Sequence, residues 1–561
     1  MKRPTHKGRG PPRKPRGERP GVIAGWYRSI LRSLTAHRLY RLTLGGRVPT
    51  DLRIKLVQPW PGDPKRGIAI AAGEFELAGK LVRSPSPCWV PPAGAEEWHA
   101  AWHGFDWLSD LMTAGPAASG TARKLVQSWL REKIDFRSVA WRSDVLGTRL
   151  FAWITHFDEI IGGKDLVLKR AMLASMTRQY RHLARTAAWE LEGAARLRAL
   201  KGLIAATFAL GSSRAKRARA LAALERQSSE QIFPDGGHRS RSPSLQLRVL
   251  QDLVDIRTVL RTAKLEPSAA LQSAIDRAAP MLRLFRHGDR RLALFNDSLE
   301  EDGVLLDLVL TQSETRGRAL THAPDSGFER LQADKTLVIV DTGTRPSPGF
   351  DMHAHAGALS FEMSHGRERV IVNCGAYRGS KANWRRVPRA SAAHSVLVVA
   401  DTNSTEIRED GVLNRAPMSV SCERAEHEGR QWISATHNGY RERFGLIYTR
   451  ELFLAAEGND LRGEDRLTGR PGAKFAVRFH LHPSVEASLI EGKTAAALRL
   501  PSGTCWRLRV AGAEMSLAES IYLGTGEPRK NQQVVLSATA APGGTTVRWA
   551  LRCEPDKTGY D

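Results

Sequence analysis

Residues 351–377 read DMHAHAGALSFEMSHGRERVIVNCGAY, and residues 385–395 read RRVPRASAAHS. Runs rich in apolar and β-branched residues occur at 359–363 and 370–372, and the dipeptide His365-Gly366 between them is typical of a turn. This pattern predicts a hairpin of an antiparallel sheet. His353 and His355 lie two residues apart on a predicted strand. We therefore expect both side chains on one face, where they could share a site.

The period of the hydrophobic pattern divides the rest of the chain into two regions. From about residue 335 onward, short strand-like runs such as 338–340, 396–399 and 534–536 predict an antiparallel β-sandwich. From about Glu96 to Leu284, apolar residues recur at helical spacing, as in Trp98, Trp102 and Phe105, which predicts helix hairpins in series. A small β segment at 73–82 precedes the helical region.

These patterns predict four parts in chain order. Residues 1–20 form a disordered basic arm, and residues 21–94 form a segment with a short helix and a small β element. Residues 95–292 form the helical domain, and residues 293–561 form the sandwich. The predicted class is therefore a multidomain α and β protein.

Charge is concentrated in the first half of the chain. The 561 residues carry a net charge of +25, and residues 1–300 hold 51 Lys and Arg against 27 Asp and Glu, whereas residues 301–561 hold 33 against 32. An acidic partner explains the excess, for example a nucleic acid, an anionic membrane or an acidic polysaccharide. An arginine-rich composition, with 65 Arg against 19 Lys, explains the basic excess equally well without any binding partner. Because no nucleic-acid-binding motif is present, we expect no specific nucleic acid partner.

Several other classes of protein are excluded by simple features of the sequence. The five cysteines are widely spaced, which argues against a disulfide framework and a CxxC zinc site. No apolar run is long enough for a transmembrane helix. The basic start of the chain lacks the apolar core of a cleavable signal peptide.

A second polar cluster lies in the helical half, where residues 233–243 read FPDGGHRSRSP. The Asp-Gly-Gly turn presents His238, Arg239 and Arg241 just before a helix, and Ser242-Pro243 predicts the helix cap. The cluster is either a functional site or a connector between helices with solvated arginines.

The chain resembles the heparinase II/III-like family of polysaccharide lyases. The resemblance rests on landmarks in a fixed order: DGGH and SRSP (235–243), FNDS (295–298), HAHAGALSFE (353–362), VNCG (372–375), NWRRVPRASAAHS (383–395), GEDRL (463–467) and RFHLHP (478–483). It implies an incomplete (α/α) toroid followed by a β-sandwich. It also implies β-elimination at a uronic acid of an acidic polysaccharide, in a cleft between toroid and sandwich. The enzyme must then neutralise the carboxylate, remove the C5 proton and protonate the leaving oxygen.

The resemblance also implies roles for individual residues. It makes His353 the active-site histidine and His238 the contribution of the toroid. It implies a zinc ion in the sandwich, with His355 and His394 as ligands. The arginines that could bind a carboxylate or sulfate are Arg239, Arg241, Arg386 and Arg389.

Two departures from the family pattern leave a second interpretation open. The expected zinc aspartate position is Asn373, a neutral and weaker ligand. No tyrosine lies between Tyr180 and Tyr377, so the toroid acid/base is missing, and His238, His353 or Tyr440 would have to move the protons. The leading hypothesis is a lyase of the cell envelope or periplasm. The alternative is a noncatalytic acidic-glycan-binding or envelope-assembly protein, and the absence of a visible signal peptide leaves the cytoplasm open.

Overall fold

The computed structural model describes residues 29–35, 37–57, 59–84, 89, 96–163, 165–379, 381–409, 411–413 and 418–554. The predicted basic arm at residues 1–20 lies outside these ranges. Among the described residues, no helix combines the length and apolar composition needed to cross a bilayer.

The N-terminal part is helical. Residues 29–35 are helical, and the labelled helices are α1 (Arg38–Leu42), α2 (Pro64–Ala71), α3 (Glu96–Gly104), α4 (Leu108–Thr113), α5 (Pro116–Arg131), α6 (Ser143–Thr155), α7 (Phe157–Ile161), α8 (Leu166–Thr186), α9 (Gly193–Ala209), α10 (Arg214–Gln231), α11 (Pro243–Thr262), α12 (Ala269–Leu284) and α13 (Gly303–Gln312). The small β element is a hairpin of β1 (Glu74–Leu77) and β2 (Lys80–Arg83).

The sequence explains where the helices begin and what they bury. Ser242 caps α11 by accepting from the Leu245 N–H, and Pro243 occupies the first turn, as predicted. The helices pack through stacked aromatic rings, among which Trp102 lies 4.7 Å from both Trp89 and Trp107 between centroids. Large buried aromatic side chains dominate the energetics of such a core.

The C-terminal part consists of two antiparallel sheets. The strands are β3 (His322–Ala323), β4 (Phe328–Ala333), β5 (Thr336–Asp341), β6 (Phe361–His365), β7 (Glu368–Val372), β8 (Leu397–Val399), β9 (Val420–His427), β10 (Arg430–His437), β11 (Leu446–Leu454), β12 (Asp460–Gly469), β13 (Lys474–Leu481), β14 (Glu486–Ile490), β15 (Ala495–Arg499), β16 (Cys505–Ala511), β17 (Glu514–Tyr522), β18 (Arg529–Thr539) and β19 (Thr545–Glu554). A short helix, α14 (Arg441–Phe444), connects β10 to β11.

The two sheets pack face to face around one core. One sheet has the order β17-β18-β13-β7-β6-β5-β4-β3, with β8 also paired to β13, and the other has the order β14-β15-β16-β19-β12-β11-β10-β9. Between them, the ring of Phe361 stacks on that of Trp549 with centroids 5.7 Å apart. The predicted toroid followed by a β-sandwich is therefore confirmed. Helix α13 lies beyond the predicted boundary at residue 293, because the sheet begins only at β3.

A buried ion pair fixes the middle of the sandwich. Arg450 on β11 donates through Nε to Asp465 on β12 at 2.7 Å, and both side chains are almost fully buried. Tyr448 and Trp549 also donate to the Asp465 carboxylate. Arg450 further donates to the carbonyl oxygens of Leu359 and Ser395. The pair therefore links one sheet to the segments before β6 and β8 of the other sheet, through Leu359 and Ser395.

Candidate functional site at the junction of toroid and sandwich

The loop before β6 differs from the predicted strand. Residues 351–360 form turns, and β6 begins only at Phe361. The side chain of His353 is 63% exposed, whereas His355 is buried. Side chains from outside hold this loop, since Asn296 accepts from the His355 N–H and Arg389 donates to the Ala354 carbonyl. The prediction that His353 and His355 share one face of a strand is wrong, because these contacts replace a strand ladder.

His355 and His394 form a buried pair beneath the loop. Nδ1 of His355 lies 3.1 Å from Nε2 of His394. The Asp297 N–H donates to His355 Nε2, and Nδ1 of His394 faces the Ala390 carbonyl at 2.8 Å. One tautomer assignment satisfies all three bonds, with each ring neutral and protonated on Nδ1. Burial lowers the pKa of His394 to about 4 and that of His355 well below its usual value.

The same pair was predicted to hold zinc with Asn373. Two imidazole nitrogens on one tetrahedral zinc are separated by roughly 3.3 Å, so the spacing of the pair suits a metal. The third position does not, because Asn373 Oδ1 already accepts from the Ser395 N–H, and among the described residues the buried Nδ2 has no hydrogen-bond partner. An amide nitrogen is not a zinc ligand. Among the residues described, no cluster of three or more His, Cys, Asp or Glu could hold a metal.

The donor set therefore does not fit the family's zinc, and the chemistry considered for this site uses no metal.

A glycine allows the two histidines to pack close together. A Cβ on Gly357 would lie 2.6 Å from Cδ2 of His394. The HAHAG motif thus serves close packing around the imidazole of His394, whatever else it does.

His353 stands at the surface beside an ion pair. Its Nδ1 lies 3.6 Å from Oδ2 of Asp297. The Asp297 carboxylate accepts from Nη1 of Arg378 at 2.9 and 3.0 Å, and Nη2 of Arg378 donates to the Asp297 carbonyl. Asn296 and Asp297 have φ of 46° and 60°, a conformation that Asn and Asp tolerate better than other side chains. His353, Asp297 and Arg378 together can bind a polar ligand, and the imidazole of His353 can contact it.

Asp297 and Arg378 belong to this exposed group although neither was predicted from the sequence. The signal for Asp297 was present in the FNDS landmark, whose Asn and Asp suit a left-handed turn. Arg378 had no signal of its own, since its partner lies 81 residues away.

The two predicted ligand-binding arginines of the 385–395 segment, Arg386 and Arg389, donate to backbone carbonyl groups. Arg389 is buried and donates to Ala354, so it shapes the loop that carries His353. Arg386 is exposed and donates to the Arg408 carbonyl at 3.1 Å. Of the two, Arg386 is the one whose surface a ligand can reach.

The DGGHRSRSP loop clamps the helical domain to the sandwich. The Arg241 guanidinium is buried and pairs with the Asp341 carboxylate. It also donates to the carbonyl oxygens of Ser326, Gly327 and Thr344. Arg241 is therefore placed in an interdomain contact instead of the predicted ligand site. Arg239 lies over the Phe233 ring at 4.6 Å and donates to the Glu230 carbonyl.

His238 lies inside this loop and not at a surface. Its Nδ1 is 2.7 Å from Ser240 Oγ and its Nε2 is 3.2 Å from Gln231 Oε1. It is 1% exposed, and burial lowers its pKa to about 3. His238 therefore presents no free ring nitrogen at a surface of this structure, and its predicted pairing with His353 across a cleft stays a prediction.

Tyr440 lies in the core of the sandwich. It is 1% exposed, and its hydroxyl donates to the Leu397 carbonyl at 3.1 Å. Burial raises the pKa of the phenol above its usual value. The structure therefore gives Tyr440 a packing position in the core of the sandwich.

A large cavity of the helical domain lies next to the segment that contains Arg378. Its volume is about 860 Å³, and Gly79 in the β1–β2 turn lies on its wall. A Cβ on Gly79 would lie 1.7 Å from the Arg378 carbonyl, so the turn touches the segment that holds Asp297. Six acidic and five basic residues line the cavity: Asp63, Glu74, Glu76, Glu97, Asp106 and Asp144, with Lys65, Arg66, Arg142, Arg198 and Arg248.

The charges of this cavity do not make it a site for a polyanion. Four of its five basic side chains contact carboxylates: Arg66 with Asp110, Arg142 with Asp144, Arg198 with Asp252, and Arg248 with Glu301. Asp106 is exposed at the wall and forms no ion pair in the described chain. The cationic excess of the first half is thus located elsewhere.

Comparison with known proteins agrees with this architecture. Residues 315–550 match the family model Heparinase II/III-like, C-terminal. FtsZ-localized protein C of Caulobacter vibrioides is 29% identical over 549 residues, covering 91% of this chain and 92% of that protein.

Two solved structures share the fold at low sequence identity. Heparinase III superposes with a TM-score of 0.71 at 13% identity, covering 96% of this chain and 92% of that one. Heparan sulfate lyase HepC from Pedobacter heparinus gives 0.60 at 15% identity, covering 96% and 90%. Residues 315–550 are therefore similar in sequence to the C-terminal domain of the heparinase II/III-like family, and the chain as a whole shares the fold of heparinase III.

Proposed function

We propose that this protein is a noncatalytic member of the heparinase II/III-like family that acts in envelope assembly and is localised with FtsZ. One observation carries the proposal: of the three predicted acid/base residues, two are buried. His238 is buried with both ring nitrogens bonded, and Tyr440 is buried in the sandwich core, so of the three only His353 is exposed. β-Elimination needs a base and an acid at the same sugar.

The 860 Å³ cavity of the helical domain supports the same proposal. A lyase for acidic glycans needs unpaired cations to hold the uronic acid and its neighbours. Most basic side chains of the 860 Å³ cavity already contact carboxylates, and acidic side chains share its wall. The lining therefore suits a ligand with groups of both signs better than a polyanion.

Localisation rests on the curated relative. FtsZ-localized protein C matches this chain along nearly the whole of both lengths. We extend the localisation stated in that name to this chain, which favours the cytoplasm over the periplasm as its compartment. A role in bacterial cell division follows from the same extension.

A lyase is the second candidate, and one observation favours it. His353 is exposed next to Asp297 and Arg378, which matches the histidine that the family resemblance assigns to the active site. In this mechanism, neutral His353 takes the C5 proton and Arg378 faces the carboxylate. The acid that protonates the leaving oxygen would have to be water or a substrate group.

Two measurements test the proposal. Purified protein is incubated with a panel of uronic-acid polysaccharides, and the near-ultraviolet absorbance of the unsaturated product is followed. We expect no product from the wild type, with His353→Ala as the matched control. Product that disappears in His353→Ala establishes the lyase and overturns the proposal.

The second measurement addresses localisation. A fluorescent fusion in the native bacterium is expected to follow FtsZ and to disperse when FtsZ is depleted. A distribution unaffected by FtsZ depletion contradicts the proposed localisation, independently of the glycan assay.

A further inference from the structure

A second recess lies on helices α8, α9 and α10, away from the site described above. It has a volume of about 430 Å³ and shares no lining residue with the 860 Å³ cavity. We call it the α8–α10 groove. Its apolar lining consists mainly of small and aliphatic side chains: Ala184, Ala187, Ala188, Leu200, Leu203, Ala220 and Ala223.

The rim of the α8–α10 groove is strongly cationic. None of its lining residues in the described chain is acidic. Six are basic: Arg181, Arg185, Arg196, Lys216, Arg219 and Arg226. This contrasts with the 860 Å³ cavity, where acidic and basic residues alternate. A surface of one sign raises the local concentration of oppositely charged partners.

Three of these cations follow one face of α10. Lys216, Arg219 and Arg226 are exposed, and within the described part of the chain they form no hydrogen bond or ion pair. The first and last are ten residues apart, which is about 15 Å along a helix. The opposite wall is held in place, because Arg181 and Arg185 donate to the carbonyl oxygens of Leu44 and Thr43. A preformed groove thus carries uncompensated charge on one wall.

We propose that the α8–α10 groove binds an acidic amphipathic helix of a partner protein. The row of cations matches carboxylates spaced along such a helix, and the alanine- and leucine-lined floor matches its apolar face. A small polar anion would not contact the apolar floor of the groove, and a flat membrane surface cannot enter the recess. The chain's own residues 1–20 do not supply the ligand, because they hold eight Lys and Arg against one Glu. The proposal does not depend on the function of the His353 site.

The test uses a synthetic helical peptide with Glu on one face and Leu on the other. Binding of the fluorescent peptide to the full-length protein is followed by anisotropy at increasing salt. We expect binding that weakens with salt, and a loss of affinity of about tenfold or more in Arg219→Glu. Arg214→Glu is the matched control, since Arg214 is exposed on the same helix but does not line the groove. It should bind like the wild type.

A second variant tests the floor. Ala223→Trp keeps every charge and fills the recess, and we expect it to weaken the peptide as well. Circular dichroism verifies that each variant is folded.

Three results overturn the proposal. The first is an absence of peptide binding. The second is an equal loss in Arg214→Glu and Arg219→Glu, which shows unspecific attraction. The third is binding to phosphatidylglycerol vesicles that Arg219→Glu abolishes while the peptide does not compete, which assigns the groove to a lipid.

Discussion

Nδ1 of His355 and Nε2 of His394 lie 3.1 Å apart, joined by a hydrogen bond where the family resemblance places a zinc ion. Both imidazoles are neutral in this arrangement and have their ring nitrogens hydrogen-bonded, so the pair needs no metal to satisfy them. Asn373 accounts for the difference, because its Oδ1 accepts from Ser395 and its buried Nδ2 has no lone pair to offer. The zinc itself stays a prediction that metal analysis can decide.

Restoring a carboxylate at Asn373 should create the complete site. Asn373→Asp buries a charge, so the metal-free variant should unfold at a lower temperature than the wild type. Zinc should raise its melting temperature, because a ligand that binds the native state stabilises it. Elemental analysis and thermal unfolding with and without zinc measure both effects. The variant that combines Asn373→Asp with His394→Ala is the control, and equal zinc in all proteins contradicts the interpretation.

Arg241→Ala should reduce stability far more than Arg239→Ala. Loss of Arg241 leaves the buried Asp341 carboxylate without its cation, which costs about 3–5 kcal/mol. Arg239 is partly exposed and holds no carboxylate within the described chain, so its loss should cost about 1 kcal/mol or less. Urea unfolding compares the two. Wild-type stability of Arg241→Ala, together with a loss of glycan binding, would return Arg241 to the predicted ligand site.

Asp465→Asn should destabilise the sandwich. It leaves the buried guanidinium of Arg450 without a full counter-charge, at a cost of about 3–5 kcal/mol. Asp460→Asn, on the same strand, contacts the largely exposed Arg462 and Arg552 and should cost less than about 1 kcal/mol. Chemical unfolding of both variants checks the difference. Equal effects would mean that burial does not set the strength of these pairs.

Acid should destabilise the protein through buried His238. Its pKa in the folded protein is about 3, against 6.5 for an unperturbed histidine. Between these values the unfolded chain binds a proton that the folded protein does not. The free energy of unfolding should therefore fall as the pH drops below 6.5, by at most about 1.4 kcal/mol per pH unit from this group.

The measurement is the pH dependence of urea unfolding in His238→Gln. The slope below pH 6.5 should become shallower, whatever the variant's overall stability. His427→Gln replaces an exposed histidine and should leave the slope unchanged. An unchanged slope in His238→Gln would show that the imidazole is protonated in the folded protein.

Periodicity and local turn chemistry predicted much of the fold. The helical spacing of Trp98 and Trp102, the Ser242-Pro243 cap and the hairpin around Gly366 are each visible in a short stretch of chain. These features depend on neighbours within a few residues, so one sequence is enough to reveal them. The landmarks also predicted which segments meet, since FNDS, DGGHRSRSP and HAHAG do contact one another through Asn296.

Which side chains of those segments reach solvent was decided only by the tertiary structure. His238, Arg241 and Tyr440 are polar residues in motifs that suggest chemistry, yet each is buried. The partners of Arg241 and Tyr440 are distant in sequence, whereas those of His238 lie within eight residues of it. Asp297 and Arg378 are 81 residues apart in the chain, and the fold brings them together as an ion pair beside His353. Burial and partner distance determine whether a histidine, arginine or tyrosine is a reactive group or part of the core. The sequence by itself determined the helical part, the sandwich and the family resemblance, and the packing between these parts determined what the polar motifs can do.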